Sequence, residues 1–182
     1  MTNFDFAIDF VFAAEGYVSN HKADSGGLTK YGIAQKSHPD INVRNLTLEG
    51  AKEIYRKEYW NACRCEEFER NVGLYVMDFA VNSGTVTAAK ALQTCVNLLT
   101  SGKADSPLIV DGKIGPKTVE AVKRVDANTL VAALHAYRST FFLNIVKKNS
   151  SQNVFLRGWM NRLAKLNMYK SGLPIKQFAL FV

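Results

Sequence analysis

Apolar residues recur at helical intervals along most of the chain. The N-terminal segment has this spacing at Phe4, Ile8, Val11 and Phe12, which predicts a buried helix. Residues 72–82 are apolar almost all round and predict a central helix, interrupted by the single acid Asp78. A buried acid needs a partner, and we expect an arginine. Few segments alternate as strands do, so the pattern predicts a mainly α protein.

Further helices are predicted by their start signals. Thr47 can cap a helix that runs to about Trp60, and Thr85 or Thr87 can begin the next. Pro116 suits the first position of another helix, where its missing N–H costs nothing. Two long amphipathic helices follow, with predicted inward residues Leu130, Leu134, Tyr137, Phe141 and Ile145 in one and Phe155, Trp159, Arg162, Leu163 and Leu166 in the other.

The intervening segments predict the organisation of the chain. Residues 16–46 are rich in glycine and polar residues and predict loops, with a short strand at 29–33. The loop at 101–107 is the best boundary signal. We expect a catalytic region at 1–91 and a helical region at 92–182, packed as one compact unit. The apolar tail, 173–182, fits either a docking segment or an edge strand.

Composition narrows the class of partner. A net charge of +7 favours a polyanion such as nucleic acid, an anionic membrane or an acidic cell wall. No nucleic-acid motif frames the basic residues, so a nucleic-acid partner is not expected. The three cysteines are interpreted as reduced thiols. The three histidines are scattered, and neither a metal site nor a cofactor is predicted.

The N-terminus lacks the basic region of a signal peptide, and Asp5 and Asp9 interrupt its apolar stretch. No run approaches the ~20 apolar residues that span a bilayer. We expect synthesis in the cytoplasm, with another factor releasing the protein if its substrate lies outside the inner membrane.

Three polar residues near the first helix predict acid–base chemistry. Glu15 follows the buried helix, where desolvation keeps a carboxyl protonated and able to donate to a leaving oxygen. Asp24 lies in a polar glycine loop and should stay ionised. With Thr29 it could hold a water that attacks an anomeric carbon, an inverting arrangement that needs carboxyls roughly 6.5–9.5 Å apart. Each of the three residues also has a non-catalytic interpretation. Glu15 could be an exposed acid at a helix end, Asp24 a turn-forming residue and Thr29 a common strand residue.

Four more residues are candidate contacts to a saccharide. Tyr17 and Tyr31 could stack on sugar rings, although aromatic residues more often belong to a core. Asn82 and Ser83, at the end of the central helix, could hydrogen-bond substrate or cap that helix.

The same residues carry a family resemblance. The segments 15–18, 24–29 and 31–33 resemble the opening motif of glycoside hydrolase family 108, lysozymes that degrade peptidoglycan. The similarity continues at 51–60, 79–84, 111–118 and 154–162, so it covers nearly the whole chain. The family pattern reads Glu-Gly-Gly-Tyr, and this chain has one glycine fewer after Glu15.

The resemblance implies a lysozyme-like α-helical fold with a small β and loop region near the active site. It implies a phage-type endolysin, an N-acetylmuramidase in which Glu15 is the acid, with Asp24 and Thr29 in supporting roles by analogy. Residues 92–166 look like a peptidoglycan-binding module, in which Lys113, Lys117, Arg157 and Arg162 bind wall carboxylates or form a solvated face. The implied partners are peptidoglycan and a holin for release to the periplasm, and we expect a monomer. A lytic transglycosylase and a non-catalytic wall-binding or secretion-assisting protein remain the alternatives.

Overall fold

The computed structural model describes residues 1–14, 28–101 and 107–173. Seven α-helices lie in these ranges: α1 Asn3–Ala14, α2 Leu48–Tyr55, α3 Arg70–Ser83, α4 Thr85–Leu99, α5 Pro116–Lys123, α6 Ala127–Lys148 and α7 Asn153–Lys170. A two-stranded antiparallel hairpin is formed by β1 Thr29–Lys30 and β2 Ile33–Ala34. None of the helices in the described ranges is long and apolar enough to cross a membrane. The predicted mainly α fold with a small β region is confirmed.

Helix α3 is the centre of the bundle. It packs against α1, α4 and α6, and every residue from Val72 to Ala80 is buried. This explains why the segment is apolar almost all round, since a helix surrounded by other helices has no solvent face. The predicted helix over 72–82 is therefore confirmed and extends slightly at both ends.

Helix α2 begins as predicted and ends differently. The Thr47 hydroxyl accepts a hydrogen bond from the Gly50 N–H at 3.1 Å, as an N-cap does. Beyond Tyr55 the chain changes to a π-helical segment, Arg56–Asn61, which the helical periodicity did not predict. Trp60 in this segment is buried, and its indole N–H donates to the Glu66 carboxylate at 2.9 Å. The wider turn thus coincides with the insertion of the largest side chain into the core.

A buried amide holds the segment between α4 and α5. The Gln93 Nε2 donates to Asp111 Oδ1 at 2.9 Å and to the Lys113 carbonyl at 3.0 Å, and its Oε1 accepts from the Gly112 N–H at 2.9 Å. Pro116 then opens α5 in its first turn, as predicted. Gln93 therefore fixes the start of α5 against α4, although the sequence alone did not identify it.

The C-terminal helix returns along the N-terminal one. The Tyr169 ring in α7 stacks on Phe6 in α1 at 4.5 Å between centroids, and its hydroxyl donates to the Phe6 carbonyl at 3.1 Å. Burial raises the pKa of the Tyr169 hydroxyl to about 12, so it remains a donor. The first and last described helices therefore close one core.

The predicted inward faces of α6 and α7 are confirmed for the most part. In α6, Leu130 and Leu134 are buried, and Tyr137 and Phe141 are half-buried and pack against the core. Arg138 is buried there as well, because the buried Asp78 carboxylate in α3 requires a guanidinium. In α7 the prediction is wrong at Phe155, which is exposed and stacks on Trp159 of its own helix. The three cysteines are buried free thiols, and burial raises the pKa of Cys95 to about 12.

Candidate active site

The candidate residues fall into three groups. Thr29 and Tyr31 lie on the hairpin, and Asn82 and Ser83 lie in the last turn of α3. Three others, Glu15, Tyr17 and Asp24, lie outside the described residues. The chain enters position 15 directly after Ala14, the end of α1, so the surroundings of this helix end decide what the site offers.

The hairpin has an unusual residue in its turn. Thr29 pairs with Ala34 and Lys30 with Ile33, which leaves a two-residue loop of Tyr31 and Gly32. Both loop residues have positive φ, 54° and 77°, as a type I′ turn requires. Asparagine or glycine is preferred at the first of these positions, because a Cβ crowds the backbone in the left-handed region. The structure thus keeps a tyrosine where the backbone disfavours one, which is typical of functional positions.

Tyr55 connects the hairpin to α1. Its hydroxyl donates to the Tyr31 carbonyl at 3.2 Å, and its ring meets the Phe12 ring edge-on at 5.4 Å. A Cβ at Gly32 would collide with the same hydroxyl, so the turn needs glycine for this approach. Phe12 is three residues before position 15. Tyr55 therefore holds the loop that carries Tyr31 on the side of the bundle where α1 ends.

The end of α3 offers polar groups. Asn82 and Ser83 are half-buried, and the Ser83 hydroxyl donates to Asn82 Oδ1 at 3.1 Å. Gly84 follows with a φ of 88° and ends the helix. The amide of Asn82 is thus held by its neighbour and remains accessible in part, so the structure leaves both the capping and the substrate roles in place.

A buried charge cluster joins three helices near this point. Asp78 is fully buried, and its Oδ2 accepts from Arg138 Nη1 in α6. Its Oδ1 accepts from Arg162 in α7, from Nε at 3.0 Å and from Nη2 at 2.7 Å. Burial raises the pKa of Asp78, but the two guanidiniums lower it further, so the net shift is downward. The cluster therefore holds the ionised Asp78 carboxylate between two guanidiniums.

Arg70 links the start of α3 to α1. Its guanidinium lies 4.5 Å from the Phe6 ring of α1, and α1 packs against α3.

Sequence reasoning missed part of this site. Asp78 was identified as an acid in need of a partner, and that prediction is confirmed. Arg138 lies 60 residues away, so no local pattern pairs the two. Arg162 was interpreted as a wall-binding or solvated cation, whereas its side chain is largely buried against Asp78. Tyr55 lies in the helix that was predicted from Thr47 to about Trp60, and nothing in that pattern indicated a bond to the hairpin.

No metal centre is formed by the described part of the chain, where no group of three or more His, Cys, Asp or Glu side chains converges. The described candidate residues Thr29, Tyr31, Asn82 and Ser83 carry hydroxyl and amide groups, which form hydrogen bonds with neutral polar ligands.

Comparison with known proteins agrees with this chemistry. Residues 8–84 match the Glycosyl hydrolase 108 family, and residues 87–164 match the family described as Predicted Peptidoglycan domain. Among solved structures, the chain is similar to Brucella abortus SagA, with 27% sequence identity and a TM-score of 0.70 over 98% of this chain and 94% of that chain. No curated protein matches the chain.

Proposed function

We propose that this chain is an N-acetylmuramidase of glycoside hydrolase family 108, because residues 8–84 match that family and residues 87–164 match a peptidoglycan domain. The reaction is hydrolysis of the β-1,4 bond between N-acetylmuramic acid and N-acetylglucosamine. Glu15 donates the proton to the leaving oxygen. Asp24, helped by Thr29, orients the water that attacks the anomeric carbon. The observation that carries the proposal is the junction that Tyr55 makes between the hairpin and the end of α1.

The surroundings of the α1 terminus support an acid there. Val11 and Phe12 are buried, and apolar surroundings raise the pKa of a neighbouring carboxyl. Desolvation of this kind favours a carboxyl that keeps its proton until it donates it to the leaving oxygen.

The hairpin supports the remaining roles. Thr29 is exposed at the start of β1, where its hydroxyl can reach a water. Tyr31 is held half-buried in the turn, with the Lys30 ammonium 5.4 Å from its ring. A rigidly held ring next to the cleaved bond is suited to stacking on a sugar. Tyr17, Asn82 and Ser83 complete the proposed contacts to substrate.

The proposal is tested with a Glu15→Gln variant on purified peptidoglycan. We expect the native chain to release fragments with a reducing N-acetylmuramic acid end and the variant to release none, with unchanged circular dichroism. Glu49→Gln is the matched control, because that exposed carboxylate pairs with Lys52 in its own helix, and it should keep full activity. A Glu15→Gln variant that digests walls at the native rate contradicts the assignment.

The masses of the fragments separate the two alternatives. Anhydro-muramic acid ends identify a lytic transglycosylase, in which the sugar's own hydroxyl replaces water. Tight wall binding without any soluble sugar identifies a non-catalytic wall-binding protein. Either result contradicts the proposed hydrolysis.

We also propose the biological role of an endolysin that acts as a monomer. It reaches the wall in the periplasm after a holin has permeabilised the inner membrane. Co-expression with a holin should then cause lysis, and expression of the chain alone should not. Lysis that occurs equally without the holin contradicts this route.

A further inference from the structure

An aromatic stack leads from the core to the exposed start of α7. Phe142 in α6 is buried, and the Trp159 ring stacks on it at 5.0 Å with an interplanar angle of 23°. Phe155 stacks on Trp159 at 6.0 Å and 28°, and it is 53% exposed. An exposed ring supported from behind by two further rings loses little freedom when a ligand covers it. The stack is therefore built like a binding platform.

The net positive charge of the chain lies in its C-terminal part, which contains this platform. The last 56 residues contain eight Lys and Arg and no Asp or Glu, whereas the whole chain has a net charge of +7. Two of the eight, Arg138 and Arg162, bind Asp78. Three others are exposed near the platform: Lys147 and Lys148 in the last turn of α6, and Arg157 two residues after Phe155. A second copy of this surface would be repelled, whereas an acidic ligand is attracted.

The platform is connected to the Asp78 cluster. Phe155, Trp159 and Arg162 are spaced at i, i+4 and i+7, so they lie on one side of α7, and Arg162 binds Asp78. At its inner end the stack continues through Phe141 to Phe79, the residue after Asp78 in α3.

We propose that the Phe155–Trp159 platform binds the glycan strand of peptidoglycan. The apolar C–H face of a pyranose ring packs on Phe155, and the exposed cations attract the carboxylates of the peptide stems. This inference rests on the proposed function and adds to it a site that holds the polymer. A glycan-binding role also gives a reason for the exposure of Phe155, whose helical spacing predicts a buried residue.

The test measures wall binding in a chain that leaves walls intact. In the Glu15→Gln background, Phe155→Ala should weaken co-sedimentation with purified peptidoglycan about tenfold, because stacking on a ring contributes on the order of one factor of ten. Val154→Ala is the matched control, since this adjacent side chain is 76% exposed, and it should bind as the parent does. Phe155→Tyr should also bind as the parent does, because it keeps the ring.

Two further measurements decide what the platform recognises. Higher salt should weaken binding to intact walls, and removal of the peptide stems should abolish most of that salt dependence. Equal binding by Phe155→Ala and Val154→Ala overturns the proposal, and so does a loss for Phe155→Ala that appears with DNA and not with walls. Sugar release by the native chain is read separately, so a chain that binds through Phe155 but releases nothing refutes only the hydrolysis.

Discussion

Replacing Asp78 with Asn tests the charge cluster that joins α3, α6 and α7. The substitution keeps the shape of the side chain and removes its charge. Arg138, which is 1% exposed, then loses the carboxylate that pairs with it. Its Nε and Nη2 are buried and have no hydrogen-bond partner among the described residues. The variant therefore leaves the buried Arg138 guanidinium without the carboxylate that compensates its charge.

The expected cost follows from the burial of the pair. Breaking a buried ion pair from one side costs about 3–5 kcal/mol of unfolding free energy, a large part of the ~5–15 kcal/mol typical of a domain. For a chain of this size the loss lowers Tm by roughly 6–20 °C, at about 2–4 °C per kcal/mol. Urea unfolding at pH 7, followed by circular dichroism, measures it directly.

The control is an ion pair of the same chemistry on the surface. Glu120 and Arg124 in α5 pair at i, i+4, and their side chains are 65% and 70% exposed. Glu120→Gln should therefore cost less than about 0.5 kcal/mol. A loss below about 1 kcal/mol for Asp78→Asn would refute the reasoning, because it would mean that the two guanidiniums do not depend on the carboxylate.

The pH dependence of stability gives an independent check. The pKa of Asp78 is lower in the folded chain than its ordinary value of 3.8. Its stabilising charge is thus fully present above the ordinary value and is lost as the pH falls through the folded pKa. The native chain should lose stability in that acidic range, and Asp78→Asn should lose less there. Equal slopes for both chains would contradict the ionised state of Asp78.

Two further variants test the hairpin turn at Tyr31 and the half-buried His135. Tyr31→Gly removes a Cβ from a left-handed backbone position, so the free energy of unfolding should stay unchanged or rise by up to about 1 kcal/mol. The KM for peptidoglycan should rise, because the ring is lost. An unaltered KM would exclude a role of Tyr31 in substrate binding. The pKa of His135 is lowered by burial and by Lys170 and Arg138, so stability should fall as the pH drops below the ordinary value of 6.5, and His135→Gln should flatten this slope in urea titrations.

Local signals predicted most of the fold. The cap at Thr47, the proline at the start of α5 and the apolar central helix each depend on neighbouring residues, and each is confirmed. The contacts that position the candidate site are long-range. Tyr55 reaches the Tyr31 carbonyl across 24 residues, and a helical pattern identifies it only as an inward residue. Such bonds depend on how the helices pack, which a single sequence does not specify.

The same limit explains why Phe155 was predicted inward. Phe155 and Trp159 share the spacing of Leu163 and Leu166, so periodicity assigns all four to one apolar face. Of these four, only Leu163 and Leu166 are buried, whereas Trp159 is half-buried against Phe142 of α6 and Phe155 is exposed. The spacing that predicts Phe155 as an inward residue also places it one turn before Trp159, on which its ring stacks. The periodicity that hides the exposure of Phe155 in the sequence therefore also accounts for the support of its ring.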